Sequence, residues 1–124
     1  MLFAINSKAE ENNIKYYSED SGILSLMYHR FDENKYPSTN IQMDIFKEQM
    51  SIINTSNYKF FDPQYLQKEF NFPKNKKEIL ITVDDAFLSF YKIAWPYLKR
   101  EKIPFILFVS TETVGKTGYM SWQQ

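Results

Sequence analysis

Ile79-Leu-Ile-Thr-Val-Asp-Asp85 is the stretch on which the fold turns. A run of apolar and β-branched residues leads straight into two adjacent carboxylates. Such a run suits a strand buried on both faces, as in a parallel sheet. Open α/β sheets bind ligands beyond the carboxyl ends of their strands, so two acids at that point are candidates for chemistry. Neighbouring strand residues point to opposite faces, so Asp84 and Asp85 are expected to do different jobs. Two like charges at a strand end repel, and a shared proton or a metal ion relieves that.

Working outward, 104–109 (Pro-Phe-Ile-Leu-Phe-Val) reads as the next strand and 23–28 (Ile-Leu-Ser-Leu-Met-Tyr) as an earlier one ending at His29. Residues 30–40 carry Asp, Asn, Pro and Ser and read as a loop. Ile41, Ile45, Phe46, Met50 and Ile53 recur at helical spacing, which predicts an amphipathic helix over about 41–55 with Asn40 as its cap. Residues 58–61 are a short extended piece. Asp62-Pro63 predicts a second helix, with apolar positions at Tyr65, Leu66 and Phe70. Residues 71–78 form a basic turn. Residues 87–101 form a helix containing Pro96, which should kink it or move its true start later. Residues 111–119 are a loop, and 120–124 look like a first helical turn capped by Ser121. This order of strands and helices argues a parallel α/β sheet or barrel.

Composition narrows the classes. The chain has 124 residues, enough for one modest domain, and 44% hydrophobic with 18% aromatic residues excludes disorder by composition. Fifteen basic residues balance fifteen acidic ones, so no electrostatic nucleic-acid binder is indicated. There is no Cys, which excludes disulfides and thiolate zinc sites. No apolar run has the length of a transmembrane segment. Residues 1–21 read as a polar lead-in behind the stub Met1-Leu-Phe-Ala-Ile5. Ser7-Lys8-Ala9 loosely fits a cleavage site, so the alternative to a ragged terminus is the end of a signal peptide.

Among candidate residues, the acid pair stands against a bland reading as a solvated turn or helix cap. His29, the sole His, stands against a structural role, since a lone His is more often structural. If the strands at 23–28 and 79–83 are parallel in one sheet, His29 and Asp84 share a rim. A His there can pass a proton near neutral pH. Gly115-Lys116-Thr117 is a plain turn, because the Gly that a phosphate loop requires upstream is Ser110. A phospho-receiver domain also opens with a strand and an acid pair, but it needs a later Asp, and none follows Asp85. Trp95 and Trp122 are expected as core or groove aromatics.

From about Leu24 to Gln124 the chain resembles polysaccharide deacetylases of the NodB-homology type, carbohydrate esterase family 4. The anchor is Thr82-Val-Asp-Asp-Ala86, similar to that family's Thr-Phe-Asp-Asp-Gly. Phe90-Tyr-Lys-Ile-Ala-Trp-Pro-Tyr-Leu-Lys99, then Ile103-Pro-Phe-Ile-Leu-Phe-Val109, then Tyr119-Met-Ser-Trp122 follow in the family's order. Met27-Tyr-His-Arg30 looks like the subgroup that deacetylates poly-N-acetylglucosamine. The resemblance implies a partial (β/α) barrel of parallel strands over 22–124, the N-terminal part of a deacetylase domain that stops before the family's metal-binding His motif. It implies a metal-dependent hydrolase acting on acetylated polysaccharide, inactive as this fragment, at an extracellular, periplasmic or cell-surface location. Asp84 takes the place of the general base, His29 of the general acid, and Asp85 of a ligand to a divalent metal, usually Zn2+. Val83 and Ala86 stand where the family has Phe and Gly, and Ala86 adds a Cβ where the backbone is kept permissive. The alternative is a degenerate, non-catalytic relative that binds glycan or protein.

Overall fold

The computed structural model describes residues 22–66 and 77–124. The lead-in at 1–21, Phe70 and most of the basic turn lie outside the described residues.

The Ile79-to-Asp85 run folds as the central strand, β5 (Lys77–Asp84), of a four-stranded sheet. β1 (Gly22–Tyr28) pairs with it in parallel along its whole length, from Gly22 opposite Lys77 to Tyr28 opposite Val83. The other edge of β5 is shared: β4 (Lys59–Phe60) pairs at its start and β6 (Phe105–Phe108) at its end, both parallel. A second, two-stranded parallel sheet joins β2 (Arg30–Phe31) to β3 (Asn40–Ile41), inside the segment expected as loop.

The helices explain why β5 is so apolar. Helix α1 (Met43–Thr55) buries Met43, Phe46, Met50 and Ile53 on one stripe. These residues join Ile79, Ile81 and Val83 of β5 and Phe90, Ala94 and Leu98 of the helix after it in one core. Strand alternation then turns Leu80, Thr82 and Asp84 to the opposite face. Leu80 and Thr82 are buried there by their neighbours, while Met27 and Phe108 on the flanking strands are 63% and 54% exposed.

Two local expectations need correction, and a third is only partly described. Asn40 does not cap α1: its side-chain oxygen accepts from the Glu33 amide, and Asp32 Oδ1, eleven residues away in sequence, accepts from the Met43 amide at 2.6 Å. The cap is thus supplied through space by a residue that itself sits in a left-handed conformation, φ 52°. After Asp62-Pro63 the chain starts a 3-10 turn, Pro63–Tyr65, with Asp62 capping Gln64 as expected; the helix expected to run on to Phe70 lies outside the described residues. Met120 to Gln124 is not a helical start but a turn, closed by the Gln124 amide on the Ser121 carbonyl, and Trp122 is 70% exposed rather than core.

Pro96 acts as expected, with a specific form. It offers no N–H to the carbonyl four residues back and its ring crowds that carbonyl. The turn before it widens to a π-helix, Phe90–Ala94, in which the Trp95 amide reaches the Phe90 carbonyl. The regular helix α2 (Trp95–Glu101) begins only there. It closes with Lys102 in the left-handed region and the Ile103 amide on the Leu98 carbonyl at 3.0 Å, both side chains of that closing pair being buried.

Tyr28 ends β1 in this core. Its ring meets Phe46 edge-on at 4.9 Å, and its hydroxyl donates to Gln49 Oε1 at 2.7 Å. Burial pushes the Tyr28 hydroxyl up to about 12. The ordinary tyrosine value is about 10, so the folded state favours the neutral phenol. The resulting stabilisation is fully present below about pH 10 and is lost as pH rises through the folded value near 12. Tyr28→Phe should therefore flatten the alkaline limb of the stability curve, read as denaturation midpoints between about pH 9 and 12. Tyr97, raised first by burial and then by Glu101, keeps its share of that limb. An alkaline limb identical in both proteins would show that Tyr28 does not titrate with folding.

Candidate active site

Parallel pairing fixes the rim. Tyr28 is opposite Val83, so the next residues, His29 and Asp84, lie at the same carboxyl-end edge of the sheet. Both follow core-facing residues, so alternation sends both away from the helices. His29 Nε2 lies 3.9 Å from Asp84 Oδ2, and the two side chains are 22% and 27% exposed. That separation is beyond a hydrogen bond and within ion-pair reach. The pair is solvent-accessible yet held on two rigid strand ends. A cleft of about 310 Å³ opens beside it, lined by Met27, His29, Ser38 and Thr39 among others.

Asp85 leaves the strand. It has φ 69°, and Ala86 after it has φ 54°, two consecutive non-glycine residues in the left-handed region. That conformation costs a non-glycine residue roughly 1–2 kcal/mol, least for Asp and Asn. The Cβ of Ala86 thus sits where the sequence led us to expect strain. The turn is held by the Met120 amide on the Ala86 carbonyl at 2.9 Å and the Leu88 amide on the Gly118 carbonyl at 2.9 Å. An antiparallel bridge between Phe87 and Tyr119 lies between these two bonds.

Zinc wants about three protein ligands. Among the described residues no group of three or more His, Cys, Asp or Glu converges. Asp85 by itself does not make a metal site, and the described residues do not complete one around it.

Sequence reasoning missed Arg30 as more than part of a motif. Its guanidinium carbon lies 3.4 Å from the centre of the Phe87 ring and 4.1 Å from that of Tyr36. The only sequence signal was its position directly after His29.

No protein-family model matches the chain. It is 26% identical over 133 residues to a poly-β-1,6-N-acetyl-D-glucosamine N-deacetylase of Staphylococcus epidermidis, a match covering 93% of this chain and 45% of the relative. Among solved structures it is similar to IcaB from Ammonifex degensii, with TM-score 0.72 and 32% identity over 83% of this chain and 46% of that one. It is also similar to the Streptococcus pyogenes deacetylase PplD in complex with acetate, with TM-score 0.64 and 25% identity over 82% of this chain and 49% of that one. The chain spans less than half the length of each of these proteins. In sequence and in fold, the chain is similar to polysaccharide deacetylases, the poly-β-1,6-N-acetyl-D-glucosamine N-deacetylases among them.

Proposed function

We propose that this chain carries the acid–base part of a hydrolase that removes acetyl groups from an N-acetylglucosamine-type polysaccharide. The observation that supports it most is the 3.9 Å approach of His29 to Asp84 on one strand-end rim. In this reading Asp84 takes a proton from a water as its oxygen adds to the acetamide carbonyl carbon. The C–N bond of the resulting tetrahedral species then breaks, and the His29 imidazolium gives its proton to the departing nitrogen. Acetate and a free amine result. Asp84, left protonated, and His29, left neutral, are close enough for one intervening water to return the proton and reset the pair.

The reading includes a divalent metal, zinc by resemblance, with Asp85 as one ligand and the others beyond the described residues. It includes an extracellular, periplasmic or cell-surface setting, where such a polymer is met. On this reading the 124-residue chain is inactive alone. The test is acetate release from β-1,6-linked N-acetylglucosamine oligomers. The chain alone should release none, with or without added zinc. A chimera that continues it with the second half of the Staphylococcus epidermidis relative should release acetate. A folded chimera that binds the oligomer and leaves every acetyl group in place would overturn the proposal. Release by the unextended chain would refute its inactivity alone.

A further inference from the structure

The strained acid turn needs something to hold it. Non-glycine residues persist in such conformations only where their surroundings over-determine them. Two backbone hydrogen bonds, from Met120 and to Gly118, tie the turn to the segment that follows β6. Neither ties it to His29. Two contacts reach toward it: the Phe31 amide donates to Ser89 Oγ at 3.3 Å, and Phe87 reaches Arg30. The Phe87 ring packs against Tyr119 at 4.8 Å on one side of the turn, and the Arg30 guanidinium lies over it at 3.4 Å. Arg30 is in turn stacked on Tyr36 and bonded to Glu33 Oε2 at 2.8 Å, with its side chain only 14% exposed. Tyr36, Arg30, Phe87 and Tyr119 therefore form one continuous stack. It joins the residue after His29 to the residue two beyond Asp85, both in the segments that follow the last rung of the β1–β5 ladder.

We infer that Arg30 is a positioning residue: the ladder puts His29 and Asp84 on one rim, and by stacking on Phe87 Arg30 holds the Asp85-Ala86 turn against the end of β1 and so tightens the spacing of the two side chains beyond the last rung. A planar guanidinium suits this task, because it stacks on a ring while its edge stays bonded to a carboxylate. The glycan and the metal play no part in it. The inference rests on the proposed function only for the use made of that spacing, and its test reads geometry without turnover.

The chain has no Cys, so introduced thiols are the only ones present. One variant carries His29→Cys with Asp84→Cys at the rim. A second carries Ile23→Cys with Glu78→Cys, Cα partners near the start of the same two strands. Each is treated with dibromobimane, which fluoresces once it bridges two thiols, and the bridged fraction is compared with the singly alkylated one. Adding Arg30→Met should lower bridging at the rim about fivefold, the worth of a partly desolvated cation–π contact. It should leave the lower pair within a factor of about two, since that register is set by the ladder. Arg30→Lys keeps the charge and the stem but loses the plane. It should show the same split in smaller measure, and it carries the test if Arg30→Met does not fold. Glu33→Gln, which leaves the stack in place, should not affect the rim pair. Unchanged bridging at the rim, or an equal fall at both pairs in both Arg30 variants, would overturn the inference. The latter would make Arg30 a residue of general stability.

Discussion

Asp84→Asn is expected to remove essentially all acetate release from the chimera, a loss at the upper end of the roughly 10²–10⁴-fold that a positioned acid or base contributes. Asparagine keeps the size and the rim position but cannot accept a proton from water. His29→Ala should cost within the same range, because the amine must then leave without a proton donor. The two side chains face each other at 3.9 Å, so the double variant should be little worse than the poorer single one, as groups that act as a unit are not additive. Asp85 separates from this pair in a second readout. Asp84→Asn should retain bound zinc, measured by metal content after gel filtration, whereas Asp85→Asn should lose it. Normal metal loading in Asp85→Asn would mean that the roles of the two carboxylates are exchanged. Additive losses in the double variant would mean that His29 and Asp84 act at separate steps.

What made this site legible was the register of buried strands. A continuous apolar run ending in two acids has few places to go in a small α/β domain. The same is true of the run ending in His29. Once both strands were read as parallel, a shared rim followed, and the ladder from Gly22 opposite Lys77 to Tyr28 opposite Val83 brings it about. The features that could not be read are those made through space. Asp32 caps α1 from a loop eleven residues upstream, because the β2–β3 pairing folds that loop back onto the helix start. Asn40, the nearer candidate, is occupied by the Glu33 amide. No local pattern announces that Arg30 will lie over Phe87, 57 positions later, since that contact depends on β2 meeting the segment after the acid turn. Helix signals were borne out at one start and not at another. Asp62-Pro63 starts a helical turn with Asp62 as its cap. Ser121 has the right chemistry for a cap, yet the residues after it close a turn through Gln124 instead.

Phe46→Ala should be the most damaging single truncation in the core, costing about 3–5 kcal/mol. Phe46 is fully buried at the centre of α1's apolar stripe. Its ring meets Tyr28 at 4.9 Å and Phe31 at 5.1 Å, both edge-on, and Tyr97 at 6.1 Å. It therefore touches the end of β1, the end of β2 and helix α2 at once. Removing it opens a cavity that these three aromatic neighbours cannot collapse to fill, which places the cost toward the top of the range for aromatic truncation. Small domains are stable by only about 5–15 kcal/mol, so this one change consumes a large share. Ile52→Ala on the same helix is the matched control. Ile52 is 59% exposed, and its loss should be within about 0.5 kcal/mol of neutral. Phe46→Leu should recover part of the loss by refilling volume while giving up the edge-on contacts. Urea unfolding midpoints at constant slope would measure all three. A cost below about 1 kcal/mol for Phe46→Ala, or a larger one for Ile52→Ala, would mean that α1 docks on the sheet through a different face. The consequence reaches the rim, because Tyr28 is held by Phe46 and is the last core residue before His29. A loosened Phe46 site should lower bridging of the rim thiols while the pair at Ile23 and Glu78, paired on the ladder at its start, holds its register.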